Sequence, residues 1–271
     1  MIQFCFGRLR RPKQNQNPLI PNARKINISL VNSFTFGYHR EMKQGEAAHR
    51  QLADFIPEDA FVGAGLILRQ RGLFLFGIRP LRWDGQRPTA EITAIGGRIE
   101  TQDASLSAGV QREACEEIGQ SVRFIPCTRT LLVRGYGDLE WASIHGEEKP
   151  AAIVYRFYKA PAHQPWNAPG VGQPNYRPPS CIVLFLAELN EQPQLTEELP
   201  ALIWLTPEQI LETARRDIRF GDLLEAGIPI LRLRQNYPAP EHWARLTDSQ
   251  EALALSMEEA VLDYYYRLLR L

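Results

Sequence analysis

The stretch that most constrains the fold is "GGRIETQDASLSAGVQREACEEIG", which occupies residues 96–119. Upstream, "AEITAIGG" (90–97) predicts a strand that runs into a double glycine. Downstream, Leu106, Val110 and Ala114 recur at i, i+4 and i+8, which predicts a helix over 104–118. Asp103 or Ser105 can cap the start of this helix, and Gly119 can take the left-handed conformation that ends it.

Three glutamates share one face of this predicted helix, because residues three and four apart are neighbours on a helix. Carboxylates as close as those of Glu113, Glu116 and Glu117 repel, and some take up protons unless a cation lies between them. Hard cations such as Mg²⁺ bind carboxylate oxygen and usually share their shell with phosphates and water. Arg112 stands beside the cluster and can hold one carboxylate in a bidentate pair. The alternative is a solvated acidic face on a surface helix.

The double glycine lets the backbone approach a metal or a phosphate group closely, because Gly96 and Gly97 carry no side chain. The carbonyl oxygen of Gly97 is a candidate for a further metal ligand.

Strand and helix patterns alternate along the rest of the chain. A hairpin is predicted over 61–80, with Gly72 at its turn, and a loop over 81–88. We also predict a strand over 26–36, further strands over 121–136, 151–160, 181–189 and 201–205, and helices over 45–56, 206–216, 220–235 and 248–271. Thr206 and Pro207 form a typical helix start. In the last helix, an apolar stripe predicts a core or homodimer contact; its members are Leu253, Met257, Val261, Tyr264 and Leu268.

Composition and charge exclude several classes of protein. The chain has 271 residues, of which 44% are hydrophobic and 23% charged, so it can bury a sizeable core. Its net charge of zero favours neither nucleic acid nor an acidic membrane. No apolar run reaches the roughly 18 residues of a membrane span. The four cysteines form no CxxC pair, which indicates free thiols in a reducing compartment such as the cytoplasm.

The N-terminal forty residues are basic, with seven Lys or Arg and no acid. A folded extension is favoured by the strand pattern over 26–36. An organelle-targeting segment or a charged tail that contacts nucleic acid are the alternatives left open.

The motif GG-x-x-E-x-x-D-(…)-R-E-x-x-E-E-x-G resembles the Nudix box, the signature of the Nudix hydrolases. The resemblance extends over residues 60–216 and includes "IWLTPEQIL", which is similar to the end of many Nudix domains. It implies an α/β fold, an α/β/α sandwich with a mixed β-sheet. Residues 1–59 would then be an N-terminal extension and residues 217–271 a C-terminal helical extension.

The same resemblance implies a pyrophosphohydrolase that depends on Mg²⁺ or Mn²⁺ and cleaves a nucleoside diphosphate linked to another moiety. Glu113 and Glu117 would be the first metal ligands, Glu116 the next, and Gly97 would offer its carbonyl. Arg112 would orient the carboxylates, and Glu100 would pair with Arg112. This box departs from the common pattern by one extra residue between Asp103 and Arg112.

Other candidates lie outside the box. Glu197 or Glu198 could serve as the general base in place of a box glutamate. Trp166 and Tyr176, on a Pro/Gly loop over 161–180, are predicted to bind substrate, since aromatic rings stack on nucleobases.

Arg79 is predicted to bind substrate as well. It begins "RPLRWDGQ", which loosely resembles a motif of the coenzyme A-cleaving Nudix enzymes. The spacing from Gly85 to Gly96 is too long for that motif, so coenzyme A is not assigned.

A second function class is a catalytically inactive Nudix-like module that binds a nucleotide as a sensor or scaffold. It is motivated by the large extensions, whereas the three retained glutamates favour an enzyme.

Overall fold

The computed structural model describes residues 50–85, 87–135, 138–156, 180–189, 191–246, 254 and 260–271. The strand predicted over 26–36 and most of the loop over 161–180 lie outside these residues. None of the helices in the described ranges combines the length and the apolar character that a membrane span needs.

The hairpin is confirmed. Its strands are β1 (Phe61–Gln70) and β2 (Leu73–Ile78), and Gln70 pairs with Leu73 across the turn. The two turn residues, Arg71 and Gly72, have φ of 53° and 78°. Two consecutive positive φ angles match the turn type that follows the natural twist of a hairpin.

Twelve further strands of the described residues join this hairpin in one sheet. They are β3 (Arg82–Asp84), β4 (Arg87–Thr93), β5 (Gly96–Arg98), β6 (Arg123–Phe124), β7 (Thr130–Gly135), β8 (Asp138–Ala142), β9 (Ala152–Arg156), β10 (Ser180–Glu188), β11 (Ala201–Leu205), β12 (Ile218–Arg219), β13 (Ile230–Arg232) and β14 (Trp243–Leu246). The main path runs β12-β14-β4-β2-β1-β10-β9-β7-β8. The pairs β1/β10, β7/β9 and β4/β14 are parallel and the others antiparallel, so the sheet is mixed as expected.

Helices cover both faces of the sheet. Helix α1 (Leu106–Ile118) contacts β1 and β5 on one face. Helices α2 (Pro207–Arg215), α3 (Phe220–Glu225) and α4 (Ala260–Arg270) belong to the other face, where α2 contacts α4. A short 3₁₀ helix, Leu52–Phe55, precedes β1.

Strand β4 shows how the two faces differ. Ala90 and Ile92 are fully buried in the core cluster that contains the apolar side chains of α2 and α4. Because side chains alternate along a strand, Thr89, Glu91 and Thr93 point to the face that carries α1.

Several predicted elements are wrong in extent. The loop predicted over 81–88 contains β3 and the start of β4, and the helix predicted over 45–56 is helical only over Leu52–Phe55 within the described residues. The helix predicted over 220–235 ends at Glu225 because Gly227 adopts a φ of 73° and Pro229 follows, after which the chain forms β13. The strand predicted over 121–136 divides into β6 and β7, with Pro126 in the break. The segment after residue 216 therefore adds three strands to the sheet as well as helices α3 and α4.

The described part of the C-terminal stripe is core. Tyr264 and Leu268 are buried, and the Tyr264 hydroxyl donates a hydrogen bond to the Ala151 carbonyl. Phe74 and Tyr265 meet edge to face with their ring centroids 4.8 Å apart. A homodimer contact through this helix stays a prediction.

Candidate active site

The double glycine lies on β5, which pairs with β1 so that Gly96 is opposite Gly65 and Gly97 opposite Ala64. Gly96 has a φ of 138°, and a Cβ on it would lie 2.4 Å from the Ala64 carbonyl oxygen. Only glycine fits such a position, because both the backbone angle and the contact with backbone exclude a side chain.

Helix α1 is capped at its start by Ser105, whose hydroxyl accepts a hydrogen bond from the Ala108 amide at 3.1 Å. Of the two caps left open by the sequence, Ser105 is therefore the one used. The helix ends at Gly119, which has the expected left-handed conformation with φ 70°. Both ends agree with the predicted boundaries to within two residues.

Glu117 is the most buried acid of the box, with 1% of its surface exposed. Its Oε2 accepts a hydrogen bond from the Gly96 amide at 2.8 Å. Burial raises the pKa of Glu117 to about 8, against the opposing effects of the Gly96 amide and the Arg79 charge. The nearby charges of Glu198 and Glu113 raise this pKa further.

Glu113 lies one helical turn before Glu117 and faces the other glycine. A Cβ on Gly97 would come within 2.6 Å of Glu113 Oε2, so the absent side chain is what admits this carboxylate. Burial raises the pKa of Glu113, although the Arg112 guanidinium lowers it. The two glutamates therefore sit side by side against the double glycine.

Arg112 holds the acidic face together. Its Nη1 donates to Glu113 Oε1 at 2.9 Å and to Glu116 Oε2 at 3.1 Å. Its Nε and Nη2 donate to the two oxygens of Asp103 at 3.1 Å each, and Nη2 also contacts the Arg98 carbonyl.

The predicted partner of Arg112 was Glu100, and this assignment is wrong. Glu100 is exposed, and its side chain accepts a hydrogen bond from Gln102 instead. Asp103 is the partner instead, and it forms two hydrogen bonds with the guanidinium of Arg112. These bonds lower the pKa of Asp103.

The loop after β10 approaches the end of α1. The Thr196 hydroxyl donates to the Glu117 carbonyl at 3.1 Å, and the Gln194 amide donates to the Ile118 carbonyl at 3.0 Å. These bonds bring Glu198 near enough for its charge to raise the pKa values of both Glu113 and Glu117. Thr196 was missed by sequence reasoning, since a threonine in "LTEELP" carries no local signal of a contact 79 residues away.

A cavity of about 180 Å³ opens beside the double glycine. Arg79 and Thr93 line it together with Gly63, Gly65 and the 94–98 segment. Arg79, a predicted substrate residue, thus lies at this cavity. Trp166 and Tyr176 lie outside the described residues.

A model of the NUDIX domain matches residues 60–224, which is more than half of the chain. The chain belongs to the Nudix family. The resemblance of residues 96–120 to the Nudix box, the α/β fold class and the expectation of a hydrolase acting on phosphoanhydride bonds are thereby confirmed.

Several solved structures resemble this Nudix chain at low identity. The solution structure of the E. coli ORF135 protein is 19% identical, with a TM-score of 0.30, over 56% of this chain and 76% of that one. The MutT NUDIX hydrolase from Burkholderia pseudomallei is 16% identical, with a TM-score of 0.31, over 56% and 87%. A NUDIX hydrolase from Nitrosomonas europaea is 15% identical, with a TM-score of 0.34, over 56% and 75%. No curated protein matches the chain.

Nudix enzymes generally use a divalent cation, and the residues beside the double glycine fit one in their donor chemistry. Glu113 and Glu117 offer carboxylate oxygens at the glycine loop, where backbone comes close, and Mg²⁺ prefers such hard donors. In the described residues, however, no three acidic, His or Cys side chains are grouped for a metal ion. Arg112 instead pairs with the carboxylates of Glu113 and Glu116.

Proposed function

We propose that this Nudix chain is a Mg²⁺- or Mn²⁺-dependent pyrophosphohydrolase that cleaves a nucleoside diphosphate linked to another moiety. The observation that carries the proposal is the burial of Glu117 beside Glu113 at the glycine loop. A buried carboxylate beside a half-buried one is costly when both are charged, and a bound cation offsets that cost. If the acidic face of the helix were simply solvated, Glu117 would be exposed. Only 1% of the surface of Glu117 is exposed.

The cation would be held by Glu113 and Glu117, with Glu116 and the Gly97 carbonyl as further donors. Glu113 and Glu116 would have to leave Arg112 to bind it. When bound, the cation neutralises the phosphate oxygens and promotes ionisation of the attacking water.

The reaction needs a water molecule, a proton acceptor and side chains that bind the diphosphate. The water oxygen attacks one phosphorus of the anhydride, the bridging P–O bond breaks, and the bridging oxygen leaves with the departing phosphate. Glu198 accepts the proton in our proposal, since it is exposed at the site and its charge reaches both box glutamates. Arg79 binds a phosphate oxygen at the cavity wall.

The experiment that tests this function is a hydrolysis screen of nucleoside diphosphate derivatives with Mg²⁺ and with Mn²⁺. We expect release of a nucleoside monophosphate from at least one substrate, and loss of that activity in Glu117→Gln and on addition of a chelator. Tight nucleotide binding without turnover at any metal concentration would support the inactive binding module instead. Wild-type turnover in Glu117→Gln would refute the role of that glutamate.

A further inference from the structure

The C-terminal segment carries a Trp–Arg surface that the catalytic proposal does not use. Strand β14 lies parallel to β4, with Trp243 opposite Thr89, and antiparallel to β12, with Arg219 opposite Trp243. Residues that are directly opposite on neighbouring strands project from the same face of a sheet. Arg219, Trp243 and Thr89 therefore share one face.

That face is the one that carries the candidate active site. Ala244 and Leu246, the neighbours that alternate with Trp243 on β14, are buried in the opposite core cluster. Thr93 lies four residues along β4 from Thr89 and lines the cavity at the double glycine. At about 3.3 Å per residue, Trp243 lies roughly 13 Å along the sheet from that cavity.

Two guanidinium groups flank the Trp243 ring. The Cζ atoms of Arg87 and Arg219 each lie 5.1 Å from the ring centroid, within the range of a cation–π contact. Arg87 comes from β4 and Arg219 from β12, the strands on either side of β14. The ring thus orients one exposed cation from each neighbouring strand.

The surface has an excess of positive charge. Asp217 accepts two hydrogen bonds from Arg245, at 2.8 and 2.9 Å, and one from Arg87 at 3.2 Å. Two guanidiniums thus share one carboxylate, while the Arg87 side chain remains 48% exposed and Arg219 is exposed as well. Guanidinium groups with free N–H donors bind phosphate oxygens bidentately.

We propose that Arg219 and Arg87, oriented by Trp243, form a subsite for a second phosphate group of the substrate, distant from the anhydride that is cleaved. This proposal rests on the proposed function, which gives the substrate as a nucleoside diphosphate derivative. It narrows the substrate class to nucleotides that carry a further phosphate monoester. Arg87 and Arg219 lie within the residues 60–224 that match the Nudix domain, whereas Trp243, which orients them, lies beyond that match.

The test uses ligands without an anhydride bond, so that binding is measured independently of hydrolysis. Adenosine 2′,5′-bisphosphate, adenosine 3′,5′-bisphosphate and AMP are titrated calorimetrically into the metal-free full-length chain. We expect at least one bisphosphate to bind about tenfold or more tightly than AMP, since a charge-assisted hydrogen bond contributes on this order. In Arg219→Gln the preference should fall to less than about threefold.

Arg215→Gln is the matched control, because Arg215 is an exposed arginine on α2 at the opposite face of the sheet. The Arg215→Gln variant should keep the full preference for a bisphosphate over AMP. Equal affinity for AMP and both bisphosphates, no measurable binding of any bisphosphate, or a preference that survives in Arg219→Gln overturns the subsite. A chain that prefers a bisphosphate but hydrolyses nothing refutes the proposed function alone, and hydrolysis without this preference refutes the subsite alone.

Discussion

Arg112 binds Asp103 through two parallel N–H···O bonds, with Nε–Oδ1 and Nη2–Oδ2 distances of 3.1 Å each. Asp103 is in turn fixed by the Glu100 amide, which donates to its Oδ2 at 2.8 Å. The loop that carries one residue more than the common box therefore ends in a clamp on the arginine. This clamp decides which way Arg112 points and, through it, where Glu113 and Glu116 lie.

The first prediction concerns this clamp. Asp103→Ala removes three hydrogen bonds from a side chain that is 5% exposed, so both the midpoint of thermal unfolding and the hydrolytic rate should fall. Loss of a group that orients a metal ligand typically lowers metal affinity or activity about 10- to 100-fold. Mg²⁺ titrations and initial rates measure this, with Glu100→Gln as the control that should keep both. Equal losses in the two variants would contradict the assignment of the clamp to Asp103.

The two glycines should respond differently to alanine. In Gly97→Ala the three atoms nearest the new methyl group all belong to the carboxylate of Glu113, which can swing away, so the fold should persist while the activity falls about tenfold or more. In Gly96→Ala the methyl group meets backbone 2.4 Å away at a φ of 138°, which should cost about 3 kcal/mol or more. Urea unfolding together with initial rates separates the two effects. Equal destabilisation by both substitutions would contradict this account.

The third prediction concerns the stability of the metal-free protein. The folded-state pKa of Glu117 is raised to about 8 from an ordinary value of 4.5, so the folded protein holds this proton more tightly than the unfolded chain. The stabilising contribution of the proton is present below pH 4.5 and is lost as the pH rises through 8. Glu117→Gln does not titrate, so at pH 8 it should be more stable than the wild type by a few kcal/mol, on the order that such a shift implies.

Thermal unfolding in the presence of a chelator checks this from pH 5 to pH 9. The difference between the two proteins should be small at pH 5 and grow with pH. Mg²⁺ should then raise the melting temperature of the wild type more than that of the variant. A variant that is less stable than the wild type at pH 8 would show that the buried carboxylate is not a source of strain.

The fourth prediction distinguishes the two candidate bases. Glu198→Gln should lower kcat about 10²- to 10⁴-fold, the usual contribution of a general base. Glu197→Gln is the control, since Glu197 is the neighbouring exposed glutamate, whereas it is the charge of Glu198 that raises the pKa values of Glu113 and Glu117. Stability should be unchanged in both. Similar rates for the two variants would indicate that a glutamate of the Nudix box is the general base.

Local patterns in the sequence determine much of this site. The helix from Leu106, its end at Gly119 and the strand before the double glycine follow from periodicity, capping and glycine chemistry, and all are present. The grouping of Glu113 with Glu117 on one helix face is of the same kind, because a helix fixes the relation of residues four apart.

Contacts between distant segments could not be read in this way. The position of Glu198 depends on the Thr196 bond to α1, and that of Trp243 depends on β14 pairing with β4, in which Trp243 lies opposite Thr89, 154 residues earlier. The wrong prediction that Glu100, rather than Asp103, pairs with Arg112 has another cause. Both acids are within reach of Arg112 in sequence, and only the turn between them decides which one faces the guanidinium.

The last prediction concerns the pH dependence of the C-terminal strands. Hydrogen bonds from Arg245, and to a lesser degree the charge of Arg87, hold the pKa of Asp217 below its usual value of 3.8. Because the pKa of Asp217 is lower in the folded protein than in the unfolded chain, its charge stabilises the fold at any pH above the unfolded-state pKa. This stabilisation is lost as the pH falls through the folded-state pKa. Asp217→Asn should therefore lower the free energy of unfolding by about 1–2 kcal/mol at pH 7, and this difference should shrink as the pH falls below 3.8. Urea unfolding at a series of pH values measures it, with the exposed Glu225→Gln as a control. A difference that stays constant down to pH 3 would mean that the Asp217 charge does not stabilise the edge formed by β12 and β14.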